Sequence, residues 1–81
     1  MPDWWTWPLE LTPHLEERME QRGLTEIALR TMLAAPHGLD EDVVDGRWVV
    51  SCRRRAERWD VIVEPDEEDE VIVVVTTYRV D

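Results

Sequence analysis

The sequence predicts an α+β domain in which two helices pack on one face of a four-stranded antiparallel sheet. Three observations lead there. The opening segment alternates apolar and polar residues, two short helical stretches each start at a threonine, and the second half is a series of Val-rich runs cut by polar turns. The element order is strand, helix, helix, then a three-stranded meander. At 81 residues there is material for one domain, residues 1–81, and none for a repeat array.

Trp5, Trp7, Leu9 and Leu11 share one parity, so Trp5–Leu11 is expected as the first strand. Pro8 within it points to a sheet edge, because proline cannot donate to a ladder on both sides. Thr12-Pro13 is a helix start, with Thr12 as N-cap and proline in the first turn. Gly23 closes that helix as a left-handed cap. Thr25 opens the second helix, Glu26 to about Ala35, which Pro36 and Gly38 stop. Glu26 and Arg30 stand four apart in the favourable order.

Val43–Arg54 is expected as a long strand interrupted at Asp45-Gly46, and Arg55-Ala56-Glu57 as the turn that follows. Trp59–Glu64 is the next strand, stopped by Pro65. Five acids, Asp66 to Glu70, make a turn before the last strand, Val71–Tyr78. Val71 to Val75 is apolar on both parities, the mark of an interior strand covered on both faces.

Composition narrows the function classes. Nine basic residues stand against 19 acidic ones, a formal net charge of -10, which disfavours a general nucleic-acid or anionic-membrane binder. All nine basic residues are arginine. One cysteine excludes an internal disulfide and a multi-cysteine zinc site, and Cys52 reads as a small buried hydrophobe. No cofactor is expected: there is no glycine-rich phosphate loop, and two histidines make a poor ligand set. Met1 to Leu11 lacks a basic start and an apolar stretch, and Val71–Val75 is too short to cross a bilayer. A cytoplasmic protein without membrane contact is therefore expected.

Charge is segregated along the chain. Residues 46–59 hold five arginines against Glu57, a local sum of +4, while residues 60–81 sum to -7 and residues 36–45 to -4. The Arg53-Arg54-Arg55 corner is a candidate grip for a phosphate backbone or an acidic protein. The competing reading is neutralisation by acidic neighbours, since surface pairs contribute little. His14, Arg18 and Arg22 follow each other at i, i+4 and i+8, so they share one side of the first helix within roughly 80°. A histidine and two guanidiniums in that arrangement can hold a phosphate and exchange a proton with a hydroxyl; the bland alternative is a polar rim. Thr76 and Tyr78 share a parity, expected to be that of Ile72 and Val74, which would place their hydroxyls at the end of the central strand.

The run Leu11-Thr12-Pro13-His14 through Arg18-Met19 to Arg22-Gly23-Leu24, with Val74-Val75-Thr76 near the other end, resembles a bacterial family of unknown function. In layout that family is similar to the RelE/ParE-like toxins, which are encoded beside an antitoxin. The resemblance implies a metal-free ribonuclease or its inactive relative, with RNA and a cognate antitoxin, or another protein, as partners. It implies that His14 is the general acid or base and that Arg18 or Arg22 and Arg53 are phosphate ligands. Thr76 or Tyr78 would be the hydrogen-bonding partner. The chain's acidity departs from the strongly basic character of such toxins. The second expectation is accordingly a non-catalytic acidic binding module, an inhibitor or immunity-type partner working through Asp40–Asp45 and Asp66–Glu70.

Overall fold

The computed structural model describes residues 1–80. Thr12 caps the first helix, α1 (Pro13–Gln21), its Oγ1 accepting from the Leu15 N–H at 3.1 Å. Arg22 and Gly23 end it. Gly23 sits at φ 68, and the Leu24 N–H reaches back to the Met19 carbonyl at 2.9 Å, as in a left-handed helix cap. Thr25 caps α2 (Glu26–Ala34) in the same way, accepting from the Ala28 N–H. Each helix buries one stripe: Leu15 and Met19 from α1; Leu29, Met32 and Leu33 from α2.

Those stripes lie on a five-stranded mixed sheet: β1 (Leu9–Leu11), β2 (Gly38–Glu41), β3 (Trp48–Arg54), β4 (Glu57–Asp66) and β5 (Val71–Val80). The spatial order is β1-β5-β4-β3-β2. Both helices cover one face, where Val50, Cys52, Trp59, Val61, Val63, Ile72 and Val74 complete the core. Fully burying one such Leu or Val contributes about 1.5–3 kcal/mol. Beta5 lies between β1 and β4, the interior position expected from its apolar run.

The α+β class and the two helices on one face stand as expected, while the sheet differs in several respects. It has five strands, because Gly38–Glu41 forms an edge strand on β3. Glycine and acids are poor strand formers, but an edge strand needs a ladder on one side only, and charge there protects it from further pairing. The expected Val43–Arg54 strand begins at Trp48; Val43 is fully exposed in the loop that turns at Gly46, φ 84. The first strand is short, since Asp3–Thr6 forms a 3-10 helix with the Trp5 N–H on the Pro2 carbonyl. Trp4 and Trp7, three apart, suit a three-residue turn, and Pro8 separates it from β1.

A further difference is direction: β1 pairs with β5 in parallel, Leu9 opposite Ile72 and Leu11 opposite Val74. No tight turn links those strands, so hairpin logic imposes no direction on them. Strands β4 and β5 also outrun their expected ends, to Asp66 and Val80. Pro65 is tolerated within β4 because the β3 ladder stops at Val63, leaving Pro65 paired only with Ile72 of β5.

A register shift between Ile62/Val63 of β4 and the facing part of β5 settles which side chains look where. Before it Val63 opposes Val74; beyond it Ile62 opposes Thr76 and Val61 opposes Thr77. The extra residue reverses the parity of β5. Thr77, not Thr76, therefore joins the covered side, fully buried with its Oγ1 donating to the Asp60 carbonyl at 3.0 Å. Thr76 and Tyr78 face away from Ile72 and Val74, opposite to expectation.

Candidate anion-binding cleft

Three elements meet where α1 ends, β3 turns into β4, and β5 runs past the end of β1. The ends of these elements are rich in arginine, and the meeting point is a cleft of about 370 Å3 lined by Arg22, Arg54, Glu57, Trp59, Tyr78 and Arg79. Cross-strand pairing explains the gathering. Arg54 opposes Glu57, and Trp59 opposes both Cys52 and Arg79, so Arg54, Glu57, Trp59 and Arg79 share the helix-covered side. Arg22 arrives from the C-terminus of α1, where the negative end of the helix favours a cation.

Glu57 organises the cleft. Its Oε1 accepts from the Trp59 indole N–H at 3.1 Å and stands 3.9 Å from Arg54 Nη1; its Oε2 lies 3.3 Å from Arg79 Nη1. Arg22 Nη1 donates to the Thr77 carbonyl at 2.8 Å. One donor of Arg22 is thus committed to β5, and a guanidinium has five. Three guanidiniums and a single carboxylate give this lining an excess of two positive charges in a molecule of net charge -10. Planar forks of this kind fit phosphate or carboxylate oxygens in pairs.

Of the residues singled out in the sequence, the cleft gathers Arg22, Arg54 and Tyr78. Tyr78 borders it from a strand position opposed to Asp60, on the sheet face that no helix covers. Its pKa is raised, first by partial burial and then by the nearby charges of Asp60 and Asp42. His14 and Arg18 lie outside the lining, both exposed on α1, with His14 about 12 Å along the axis from Arg22. Arg53 opposes Arg58 on the uncovered face, and Arg55 occupies the hairpin tip at φ 59, a left-handed conformation that costs a side-chain-bearing residue on the order of 1 kcal/mol. The three consecutive arginines therefore diverge. Thr76 is half-buried on the uncovered face, away from the cleft.

Sequence reasoning missed Glu57, Trp59 and Arg79. The sequence patterning puts Glu57 in a turn and Arg79 beyond the last strand, which hides their cross-strand alignment with Trp59. The signal was present in the near-symmetric spacing of Arg54 and Glu57 about a two-residue turn. Cys52, 2% exposed, lies in the core below; burial, helped by Asp60, pushes its thiol up to about 11. Among the described residues no group of three or more His, Cys, Asp or Glu side chains is placed to hold a metal ion, and no helix is long and apolar enough to cross a membrane.

The molecule is thus an α+β domain carrying a guanidinium cleft at the end of its first helix. Residues 11–79 match the family described as a domain of unknown function, DUF4258, and the chain belongs to that family. No curated protein and no solved structure matches it.

Proposed function

We propose that this chain is a toxin-antitoxin-type protein of RelE/ParE-like layout that takes an RNA phosphate into the Arg22–Arg54–Arg79 cleft, as a metal-free ribonuclease or its inactive relative. The observation that carries this reading is the gathering of three guanidiniums in one cleft, two of them on Glu57, at the end of the exposed His14–Arg18–Arg22 edge. Successive members of that edge rise by about 6 Å, so Arg18 and Arg22 lead from His14 into the cleft. A strand lying along the edge would meet His14 first and the cleft last.

Cleavage by such a protein attacks the phosphorus with the neighbouring 2′-hydroxyl and expels the 5′-oxygen, leaving a cyclic phosphate. A base takes the hydroxyl proton and an acid returns one to the leaving oxygen. The guanidiniums stabilise the charge that develops on the phosphate oxygens. One phosphate held in the cleft lies away from His14, whose backbone position is about 12 Å along the helix axis from that of Arg22. His14 serves a phosphate bound on the α1 edge; for a phosphate in the cleft, Glu57 is the proton acceptor at hand.

The test is binding and turnover of a fluorescent single-stranded RNA by wild type, Arg54→Ala, His14→Ala and Glu57→Gln, with folding checked for each. Binding that weakens about tenfold in Arg54→Ala is expected. Turnover lost in His14→Ala or Glu57→Gln, by about 10²-fold or more, identifies the proton-transfer group. Binding without turnover identifies the inactive relative. No RNA binding by wild type removes the proposal and favours the acidic binding module. That second reading rests on the exposed edge formed by Asp40 and Glu41 of β2 and the loop acid Asp45.

A further inference from the structure

At the far end of β4 from the arginine cleft lies a cavity of about 410 Å3 with a different chemistry. It is lined by Asp3, Trp4, Trp7 and Glu67. We propose that this cavity binds an organic cation, a guanidinium or a methylated ammonium group.

The two walls come from one turn. In a 3-10 helix residues three apart eclipse one another, and the Trp7 N–H donates to the Trp4 carbonyl at 3.0 Å. Trp4 and Trp7 therefore present their indoles to the same side. Trp4 is steadied by two further rings: its own lies 5.7 Å from that of Trp5 and 5.8 Å from that of Trp48, tilted by about 50° in each case. Indole faces carry negative electrostatic potential and attract a cation more strongly than other aromatic rings do.

The other two lining groups are carboxylates. Asp3 immediately precedes Trp4, and Glu67 sits on the turn between β4 and β5. That turn is held in shape by Asp66, whose Oδ1 accepts from the N–H groups of Glu68 and Asp69 at 3.0 and 3.2 Å. No arginine lines the cavity, and the ion pairs among the described residues leave Asp3 and Glu67 out. Two indole walls and two uncompensated carboxylates make a site that repels anions and rewards a diffuse positive charge able to lie against a ring. A small inorganic ion gains little there, because it keeps its hydration and uses only the carboxylates. Three of the four residues precede the segment that matches the family, so the site belongs to this chain's own opening residues.

The source of the cation is either a free small molecule or an arginine side chain of a protein partner, and the same measurement separates them. Indole N–H resonances of the 15N-labelled protein are followed during titration with tetramethylammonium, methylguanidinium, sodium, uncharged tert-butanol, and a short peptide bearing one arginine. Saturable shifts confined to Trp4 and Trp7 are expected with the two organic cations, and not with sodium or tert-butanol at equal concentration. Tighter binding of the peptide than of methylguanidinium assigns the site to a protein partner, and the reverse assigns it to a free cation. The double variant Asp3→Asn, Glu67→Gln keeps the walls and is expected to weaken binding about tenfold. Both positions are exposed, so the variant should fold, and its dispersed indole spectrum verifies that. The proposal is overturned if no organic cation saturates, if tert-butanol shifts the same resonances equally, or if the double variant binds as wild type does. None of these outcomes bears on RNA binding at the opposite end.

Discussion

Replacing Arg22 by methionine should destabilise the fold by about 2 kcal/mol, and the reason lies in where β1 stops. Beta5 is covered by β1 only up to Val74, three residues before Thr77. Thr77 is fully buried, and its carbonyl is met by Arg22 Nη1 at 2.8 Å, from the last turn of α1. A hydrogen bond from a charged donor contributes roughly 1.5–3 kcal/mol, and a buried carbonyl left without a donor costs about 1–3 kcal/mol. Methionine keeps the apolar stem and removes only the guanidinium. For a chain of this length each kcal/mol moves the melting temperature by about 4–8 °C, so a fall of about 8–16 °C is expected. Urea unfolding followed by tryptophan fluorescence and by circular dichroism measures it, with an unchanged slope showing that only stability moved. Arg22→Lys, which keeps a charge and a donor, should fall between the two. A loss below about 0.5 kcal/mol in Arg22→Met would show that water serves the carbonyl equally well and that Arg22 is not a structural tie.

Two further outcomes follow from groups outside the cleft. Below pH 9 the Cys52 thiol is protonated both folded and unfolded; between pH 9 and about 11 only the unfolded chain ionises. Stability should therefore fall across that window, by on the order of 3 kcal/mol at most, and urea midpoints at pH 8 and pH 10.5 should lie closer together in Cys52→Ala than in wild type. Thr12→Ala should cost about 1 kcal/mol by removing the acceptor for the Leu15 N–H, while Thr12→Ser should stay near wild type in the same assay.

Local chemistry made the helices legible. Thr12, Thr25, Pro13 and Gly23 each act on neighbours within a turn, and each does what its type prescribes. Beta5 was equally legible as an interior strand because a run apolar on both parities has few other places to go. Features set by distant pairing were not. Beta2 consists of residues with low strand propensity and exists because β3 offers it a ladder. The parallel direction of β1 is decided by β5, more than sixty residues away. The cleft shows the same division. Arg22 and Arg54 could be singled out from charge and helical spacing, but Glu57, Trp59 and Arg79 become one group only through the register of β3, β4 and β5. The parity of Thr76 and Tyr78 was inverted by a single bulged residue, which leaves no mark in an unbroken valine run.

The pairing of β1 with β5 has a consequence for how the chain is made. Synthesis runs from the N-terminus, so Leu9–Leu11 emerges first among the strands while its only partner, Ile72 to Val74, emerges last. Throughout that interval the tryptophan-bearing opening segment lacks the strand it pairs with, and the Ile72 N–H is not yet there to donate to the Pro8 carbonyl. The helices and the β2–β3 hairpin can form as they appear, but the contact that joins the two ends of the fold carries the largest loop-closure cost and comes at the end. A nascent chain stalled before β5 would therefore expose Trp4, Trp5 and Trp7 together, an apolar signal that an unfinished molecule displays and a finished one half conceals.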